Sequence, residues 1–465
     1  MTAKKTPQAA PSGGLYAKTE KIYPREVRGR FARMRTLAVF VLLGIYYLLP
    51  WVQWNGHQAV LFDLPARKFH IFALTFWPQD FFYLAMLLII AALSLFFFTA
   101  LAGRLWCGYA CPQTVWTEVF LWMERLAEGK AAQRAKRDRG PWSREKLLRK
   151  VWKQAMWISF AAWTGFTFVG FFTPIRELGL HLVNFNPGPW EGFWIVFYGF
   201  ATYGNAGYLR EQVCKYMCPY ARFQSAMFDR NTLIISYDEA RGEPRGARRR
   251  GVEPASVGLG DCIACTKCVQ VCPTGIDIRQ GLQYECIACA ACIDVCDDVM
   301  DKMGYPRGLI RYSTENAMEG KPSRVLRPRT FVYGALLLGL IGALITAVSL
   351  RVPLRLDVIP DRNALYQVVD ATHVENVYTL RILNMDTRPH RFRITPEGLP
   401  GVRLVSDAET REVEAGGVLS VAARVRVDIS ALQGMRHDLE FRVESLDGSV
   451  SAEHETRFLM PVGGR

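Results

Sequence analysis

Eight cysteines within one short stretch constrain the fold of this chain more than any other feature. Residues 262–273 read CIACTKCVQVCP, and residues 286–297 repeat the spacing Cys-x2-Cys-x2-Cys-x3-Cys as CIACAACIDVCD. Such short spacers let one loop place three thiolates around a cube of iron and sulfide, while the fourth cysteine reaches the other cube. Structural zinc sites use Cys-x2-Cys pairs but give no reason for this doubled spacing. The pattern predicts an α+β ferredoxin domain of the bacterial two-cluster type.

The predicted ligands form two interleaved sets. One [4Fe-4S] cluster is expected on Cys262, Cys265, Cys268 and Cys296, and a second on Cys272, Cys286, Cys289 and Cys292. Cys296 is followed by aspartate where the ferredoxin pattern has proline, and the acidic residues around it are Asp294, Asp297, Asp298 and Asp301. Because negative charge near a cluster lowers its reduction potential, the Cys296 cluster is expected to be the more reducing one.

Five apolar runs indicate a membrane protein. They cover residues 36–54, 80–101, 153–173, 192–209 and 331–350. The last has 20 residues, which as a helix span about 30 Å, the thickness of the bilayer core. Glycines and an asparagine interrupt the fourth run, so we expect it to lie among other helices and not to face lipid. These runs predict about five transmembrane α-helices.

Lysine and arginine flank these runs unevenly. Nine lie in residues 1–35 and eleven in 102–151, against two in 55–79 and one in 175–191. Because basic loops stay in the cytoplasm, the N-terminus and the cysteine-rich region are expected there, and the chain beyond residue 351 in the periplasm of a bacterium. We therefore predict a multi-pass inner-membrane protein. We therefore attribute the net charge of +14 to basic loops at the surface of the bilayer and not to binding of nucleic acid.

Composition and patterning divide the chain into five parts. The last part alternates apolar and polar residues in short runs such as YTLRIL (378–383), RFRIT (391–395), VAARVRV (421–427) and LEFRVE (439–444), separated by turn sequences. This alternation predicts an all-β sandwich of the immunoglobulin-like class. The predicted parts are a disordered basic tail (1–35), a four-helix transmembrane domain (36–237), a linker and ferredoxin domain (238–330), a fifth transmembrane helix (331–350) and the periplasmic sandwich (352–465).

Four further cysteines form a paired motif beside two apolar runs. CGYACP at 107–112 and CKYMCP at 214–219 share the pattern Cys-x-Tyr-x-Cys-Pro. If the helix continues, the i, i+4 spacing places both thiols of a pair on one face, and the proline then kinks or ends the helix. Arg104 and Arg210 precede the two pairs; they would either stabilise thiolates or serve as anchors at the membrane face.

Packing of two such helices would bring four sulfurs together near the cytoplasmic surface. Buried cysteines often serve only as small packing residues, but two copies with the same tyrosine and proline favour a metal or redox site. Soft thiolates suit Cu(I), zinc or another iron–sulfur cluster. We therefore expect a site, with copper as the proposed ion, formed by Cys107, Cys111, Cys214 and Cys218.

Together these motifs resemble the CcoG/FixG/RdxA family, membrane polyferredoxins that act in the assembly of cbb-type cytochrome c oxidase. The resemblance rests on CGYACPQTVW, CKYMCPYARFQ and CVQVCPTGIDIRQGLQYECIACAACIDVCDDVMDKMGYPRGLIRY. It implies reduction of Cu(II) to Cu(I) for the oxidase, with the four paired-motif cysteines as the catalytic copper site. It also implies oxidase assembly factors or a copper transporter as partners, and a cytoplasmic or quinol electron donor.

Two other functions fit the same residues. The chain could be an electron-transfer subunit that feeds a separate reductase, or a metal-binding assembly scaffold without catalysis. We find no phosphate-binding glycine motif and no Ser/His/Asp set whose spacing supports organic catalysis.

Overall fold

The computed structural model describes residues 21–362, 365–370, 372–386, 388–405, 410–432 and 434–460. The chain divides into two units. The first consists of Met1–Leu48, Ala91–Val169 and His181–Leu337, and the second of Leu49–Ile90, Gly170–Leu180 and Leu338–Arg465.

Helices occur in both units, and most belong to the first. In chain order the helices are α1 (Arg30–Leu48), α2 (Phe81–Ala102), α3 (Leu105–Tyr109), α4 (Pro112–Glu128), α5 (Ala131–Arg139), α6 (Arg144–Val169), α7 (Ile175–Val183), α8 (Pro189–Thr202), α9 (Pro219–Ala226), α10 (Glu239–Gly242), α11 (Lys267–Gln270), α12 (Ala291–Met303), α13 (Glu315–Met318) and α14 (Pro328–Ser349). Two π-helical segments, Tyr203–Leu209 and Val213–Met217, lie between α8 and α9.

Strands occur in both units, but the longest ones belong to the second. They are β1 (Gln53–Trp54), β2 (His57–Gln58), β3 (Val60–Asp63), β4 (Lys68–Ile71), β5 (Leu74–Phe76), β6 (Ile234–Tyr237), β7 (Ile310–Ser313), β8 (Leu354–Pro360), β9 (Gln367–Val368), β10 (His373–Asn384), β11 (His390–Glu397), β12 (Arg403–Leu404), β13 (Thr410–Val413), β14 (Val418–Asp428), β15 (Arg436–Ser445) and β16 (Ser451–Leu459).

Three helical stretches of the described residues are long and apolar enough to cross a membrane. They are Arg30–Trp51, Pro78–Ala102 and Pro328–Ser349, and they correspond to the first, second and fifth predicted spans. The third predicted span lies in α6, whose first turn carries Arg144, Glu145 and Lys146. The fourth lies in α8, which continues into a π-helical segment. The apolar helices indicate membrane association, and the number of five spans stays a prediction.

The fourth predicted span is buried among other helices only in part, since Ala206 and Gly207 at its interrupted end are buried but much of α8 is exposed. α8 packs on α6 through small residues, since a Cβ at Gly165 would overlap the Ile195 carbonyl oxygen and one at Gly199 would lie 3.3 Å from the Ala161 oxygen. The large apolar residues of α8, such as Phe200, point away from this contact and are exposed. Close backbone packing through glycine on one face explains why the interrupted run still leaves a broad apolar face open.

The first helix begins inside the stretch predicted as a tail. Residues 1–20 lie outside the described residues, but Arg30 already opens α1. The carboxylate of Asp294, on α12, accepts hydrogen bonds from the backbone amides of Phe31 (3.1 Å) and Ala32 (2.7 Å). An acceptor at this position satisfies first-turn N–H groups that have no partner within the helix. The predicted boundary at residue 35 is therefore too late for the start of this helix.

The ferredoxin part of the first unit is built around a two-stranded antiparallel sheet. β6 pairs with β7 in the register Ile234↔Ser313 to Tyr237↔Ile310. Apolar residues of this sheet, of α12 and of the two cysteine loops form one core, with Ile235, Ile278, Ile293, Met300, Leu309 and Ile310 almost fully buried. This core positions both cysteine loops on one scaffold.

The C-terminal part of the second unit is an antiparallel β-sandwich. One sheet has the order β12–β14–β10–β8 with β9 also paired to β10, and the other has the order β13–β11–β15–β16. Along β14, Val421, Ala423, Val425 and Val427 are buried, while the residues between them are more exposed. This period of two is what a strand with one face on a core requires. The four runs used to predict strands lie in β10, β11, β14 and β15.

We expect Asp294→Ala to destabilise the first unit by about 1 kcal/mol, the usual cost of a lost helix cap. The measurement is the temperature at which helical circular dichroism and cluster absorption are lost in purified protein. The control is Asp298→Ala, which removes only an exposed ion pair with Lys302 and should cost about 0.5 kcal/mol or less. Equal shifts in both variants would contradict the capping role.

Candidate iron–sulfur and thiol site

The two cysteine loops share an unusual backbone. Ala264 and Thr266 flank the second cysteine of the first run, Ala288 and Ala290 flank the second cysteine of the second run, and all four have φ between 54° and 58°. A left-handed conformation at a residue with a side chain costs roughly 1–2 kcal/mol, so it persists only where the surroundings impose it. The repetition at equivalent positions indicates that both loops wrap around the same shape.

Each loop encloses a small cavity lined by one predicted ligand set. One cavity is lined by Cys262, Cys265, Cys268 and Cys296. The other is lined by Cys272, Cys286, Cys289 and Cys292, together with Cys268. Isoleucines supply most of the remaining wall of the second cavity. Four thiols around a largely apolar cavity are the donor set of a [4Fe-4S] cluster, so the residues fit this cofactor.

The electrostatics of the thiols follow the same grouping. Burial raises the pKa of Cys296 to about 12, with further contributions from Cys268, Cys262 and Cys265. Burial likewise raises the pKa of Cys292, followed by contributions from Cys289, Cys286 and Cys272. None of the twelve cysteines forms a disulfide. Among the described residues, no group of three or more Cys, His, Asp or Glu side chains is close enough to hold a single metal ion.

The acidic residues around Cys296 mostly have partners elsewhere. Asp294 caps α1, Asp298 pairs with Lys302 at 2.5 Å and Asp301 pairs with Arg307 at 2.7 Å. Asp297, which accepts from the Gly308 amide at 2.9 Å, contributes to the raised pKa of Cys296. Ion pairs offset much of the negative charge that the sequence places around this cysteine, and that a more reducing cluster forms on Cys296 stays a prediction.

The paired motifs do not continue as single helices, so the condition under which both thiols of a pair would share one helix face is not met. Cys111 is the N-cap of α4 with Pro112 in its first turn, and Cys218 is the N-cap of α9 with Pro219 in its first turn. Proline suits the first helical position because its missing N–H has no partner there, and it holds the preceding residue in an extended conformation. Cys107 lies on α3, and Cys214 lies on a π-helical segment.

The structure places the four paired-motif thiols in the same region of the first unit, although no three of them are close enough to hold a single metal ion. Burial raises the pKa of Cys107 to about 12, and Cys111, Cys214 and Cys218 each add to this effect. Burial also raises the pKa of Cys214 to about 11, with contributions from Cys111 and Cys218. The two motifs therefore act on each other electrostatically, although about a hundred residues separate them.

Only one of the two arginines lies with these thiols. The Arg104 side chain is 3% exposed, donates to the carbonyl oxygen of Ala221 and lies 3.5 Å from that of Cys286. Its charge opposes the rise in the pKa of Cys107 and Cys214. Arg210 instead pairs with Glu124 at 2.8 Å. The stabilising role therefore fits Arg104, and Arg210 has a structural role.

The first paired motif packs directly against the loop of the second ligand set. A Cβ at Gly108 would lie 2.7 Å from the Ala288 carbonyl oxygen and 2.8 Å from that of Ile287, so only glycine allows this approach. The Tyr312 hydroxyl donates to the Ala288 oxygen at 2.7 Å and lies 3.4 Å from the Tyr109 hydroxyl. This contact was not predicted from the sequence, where the glycine between two cysteines was the available signal.

Two more contacts join the same loops to the rest of the first unit. The Arg35 guanidinium, on α1, donates to the Cys289 carbonyl oxygen, and Lys215 Nζ donates to the Thr274 oxygen at 2.9 Å. A cavity of about 450 Å³ reaches both Cys214 and Cys289. The second ligand set is thus the one that adjoins the paired-motif thiols.

Three family models match the chain. A model described as a 4Fe-4S dicluster domain matches residues 209–315, which hold ten of the twelve cysteines. A model described as a 4Fe-4S binding domain matches residues 84–129, with Cys107 and Cys111. The model for the IG-like fold at the C-terminal of FixG matches residues 344–461. These matches confirm the predicted ferredoxin domain with two [4Fe-4S] clusters and the predicted immunoglobulin-like domain.

Several characterised proteins are similar over most of their length. The protein RdxB of Cereibacter sphaeroides is 40% identical over 469 residues, covering 96% of this chain and 98% of that protein. The nitrogen fixation protein FixG of Rhizobium meliloti is 40% identical over 429 residues, covering 84% and 82%. A crystal structure of a FixG-related protein from Vibrio parahaemolyticus is 28% identical, with a TM-score of 0.22 over 24% of this chain and 98% of that chain.

We expect anaerobically purified protein to contain about eight iron atoms, about four for each cluster. Cys265→Ser and Cys289→Ser, one in each ligand set, should each lower this to about four. The measurement is iron and acid-labile sulfide per chain. Cys111→Ser is the matched control and should leave the value at about eight. A value of about twelve that falls in Cys111→Ser would instead show a third cluster on the paired motifs.

Proposed function

The chain belongs to the FixG/RdxA family of iron–sulfur electron-transfer proteins, and from this premise we propose that it reduces Cu(II) to Cu(I) at the four paired-motif thiols. The reaction would support copper delivery during assembly of cbb-type cytochrome c oxidase. The observation that carries the proposal is the contact of Gly108 with the carbonyl oxygens of Ile287 and Ala288. It places the backbone between Cys107 and Cys111 directly on the loop that holds Cys286 and Cys289.

The arrangement of the cysteines suggests a direction for electron flow. When bound, the two clusters supply one-electron transfer between neighbouring sites. Cys265 of the first ligand set is exposed, which offers a place where a cytoplasmic reductant can approach. The second set adjoins the paired-motif thiols. One electron from a reductant or a quinol converts one Cu(II) to Cu(I), and no bond to carbon needs to break.

The paired-motif thiols have the chemistry to favour the reduced ion. Thiolates are soft ligands and select Cu(I) over harder ions. Burial keeps Cys107 and Cys214 protonated at neutral pH, since it raises the pKa of each to about 12 and about 11. Copper binding must therefore release protons. Arg104 reduces the cost of the resulting negative charge, because it lies beside Cys107 and Cys214.

The placement in the membrane is part of the proposal. The distribution of lysine and arginine supports a cytoplasmic ferredoxin domain, a periplasmic immunoglobulin-like domain and five spans in the bacterial inner membrane. Three long apolar helices support the membrane location. We propose that the immunoglobulin-like domain docks assembly factors of the oxidase or a copper transporter.

One observation favours a second candidate. Residues 84–129, with Cys107 and Cys111, match a 4Fe-4S binding domain. If the four thiols hold a third cluster, the chain is an electron-transfer subunit that passes electrons from a quinol or a cytoplasmic donor to a separate reductase. A scaffold without catalysis remains the third reading, and it predicts copper binding that does not depend on the clusters.

Anaerobic reduction of Cu(II), followed with a chelator specific for Cu(I), tests the proposal. We expect Cys111→Ser, Cys218→Ser and Cys289→Ser each to slow reduction by the intact protein at least about tenfold, or about 1.4 kcal/mol in the barrier. The first two remove copper ligands, and the third removes a ligand of the adjoining cluster. Equal rates in the intact protein and all three variants would exclude the mechanism.

Gly108→Ala tests the contact itself. The added Cβ must push the paired motif away from the Ile287 and Ala288 oxygens, and a displacement near 1 Å can slow a reaction by about 10²-fold. We expect slower Cu(II) reduction with iron content unchanged. The matched control is Gly204→Ala, where a Cβ would meet nothing within 4 Å. Unaltered reduction in Gly108→Ala would remove the observation on which the proposal rests.

A further inference from the structure

Two histidines of the second unit lie side by side. His57 is on β2 and His70 is on β4, and their ring centroids are 4.5 Å apart with an angle of 33° between the planes. Antiparallel pairing of β3 with β4 and a hydrogen bond from the Phe72 amide to the Ala59 oxygen bring these segments together. Both rings are half-buried.

One nitrogen of each ring is already engaged, and the other is available. His57 Nδ1 lies 3.0 Å from the Gln58 carbonyl oxygen, and His70 Nδ1 lies 3.0 Å from Thr75 Oγ1. A carbonyl at Nδ1 requires the proton there, which leaves the His57 Nε2 lone pair free. Neither Nε2 atom has a hydrogen-bond partner among the described residues. Metal-binding histidines usually donate their other ring nitrogen in this way, because it fixes the tautomer and the orientation of the ring.

The side chain of Gln58 fixes the strand that carries His57. Gln58 is 3% exposed; its side chain donates to the Val60 and Gly170 oxygens at 2.8 Å and 2.6 Å and accepts from the Ile175 amide at 3.0 Å. All polar atoms of this amide are therefore engaged in holding the strand that carries His57. A ligand side chain on a fixed backbone loses little entropy when it binds an ion.

The charges near the pair are balanced. Burial lowers the pKa of His70, His57 and Lys68 lower it further, and Asp63 opposes them. Lys68 Nζ donates to the Gly416 oxygen at 2.7 Å and lies over the Trp77 ring. Asp63 Oδ1 accepts a hydrogen bond from the Ala66 amide.

We propose that His57 and His70 together bind a divalent late-transition-metal ion through their Nε2 atoms, with water completing the coordination. Imidazole suits Zn(II), Cu(II) and Ni(II), and among divalent ions of the first row Cu(II) binds nitrogen ligands most tightly. The site is separate from the thiols and does not depend on their role in copper reduction. On the predicted topology it lies on the periplasmic side.

Electron paramagnetic resonance of added Cu(II) tests the site in full-length protein without an affinity tag. The clusters are kept oxidised, and Cys111→Ser/Cys218→Ser is included as a second background so that the thiols do not consume the Cu(II). We expect nitrogen couplings from two imidazoles on one copper ion in the intact chain. This measurement needs no histidine variant, so it does not depend on how a variant folds.

Substitution assigns the two nitrogens. His57→Gln and His70→Gln should each leave one imidazole on copper. Loss of an outer-shell partner alone costs about 10- to 100-fold in metal affinity, so loss of a ligand should weaken Cu(II) binding at least about tenfold. The matched control is His437→Gln, a half-buried histidine of the same unit bonded to the Gly434 oxygen, which should bind Cu(II) like the intact protein.

Fewer than two imidazoles in the intact protein, or couplings that persist in both single variants, would overturn the proposal. The Cu(II) reduction assay on His57→Gln/His70→Gln separates this site from the proposed function. We expect an unchanged rate there, whereas Cys111→Ser/Cys218→Ser should lose reduction and keep the two-imidazole signal.

Discussion

The structure of the first unit depends on how the loop at residues 286–289 satisfies its outward-facing carbonyl groups. Buried carbonyl oxygens need donors, and an unmade bond costs about 1–3 kcal/mol. Arg35 donates to the Cys289 oxygen, Tyr312 donates to the Ala288 oxygen and Arg104 approaches that of Cys286. Arg35 belongs to α1 and Arg104 precedes α3. The loop that carries one ligand set is thus held by the helices around the paired motifs.

A second constraint lies in buried charge. Glu124 is fully buried and accepts from Arg134 and Arg210, each at 2.8 Å. Burial alone would raise the pKa of Glu124, but Arg210, Lys21 and Arg134 outweigh it and lower the pKa. Removing one partner of such a group typically costs about 3–5 kcal/mol, because the remaining charge stays buried. Since Arg210 precedes the segment with Cys214, this network positions the second paired motif against the first.

Much of the fold could be predicted from local sequence patterns. The spacing of the eight cysteines was enough to sort them into the two sets that line the two cavities, because a loop of two or three residues allows few arrangements of its thiols. Period-two alternation located β10, β11, β14 and β15, because this pattern too lies within one short segment of the chain. The early start of α1, the separate roles of Arg104 and Arg210 and the partners of the acidic residues near Cys296 depend on groups far away in the chain. No local pattern records them.

By itself, the sequence determined that the chain holds two [4Fe-4S] clusters, long apolar helices and an immunoglobulin-like domain, since each follows from spacing or periodicity within one segment. Only the tertiary structure decided which ligand set adjoins the paired motifs and that His57 and His70 lie side by side. The physical reason is that these arrangements arise when distant segments pair strands, bury side chains and satisfy each other's hydrogen bonds. Such contacts are set by the whole fold.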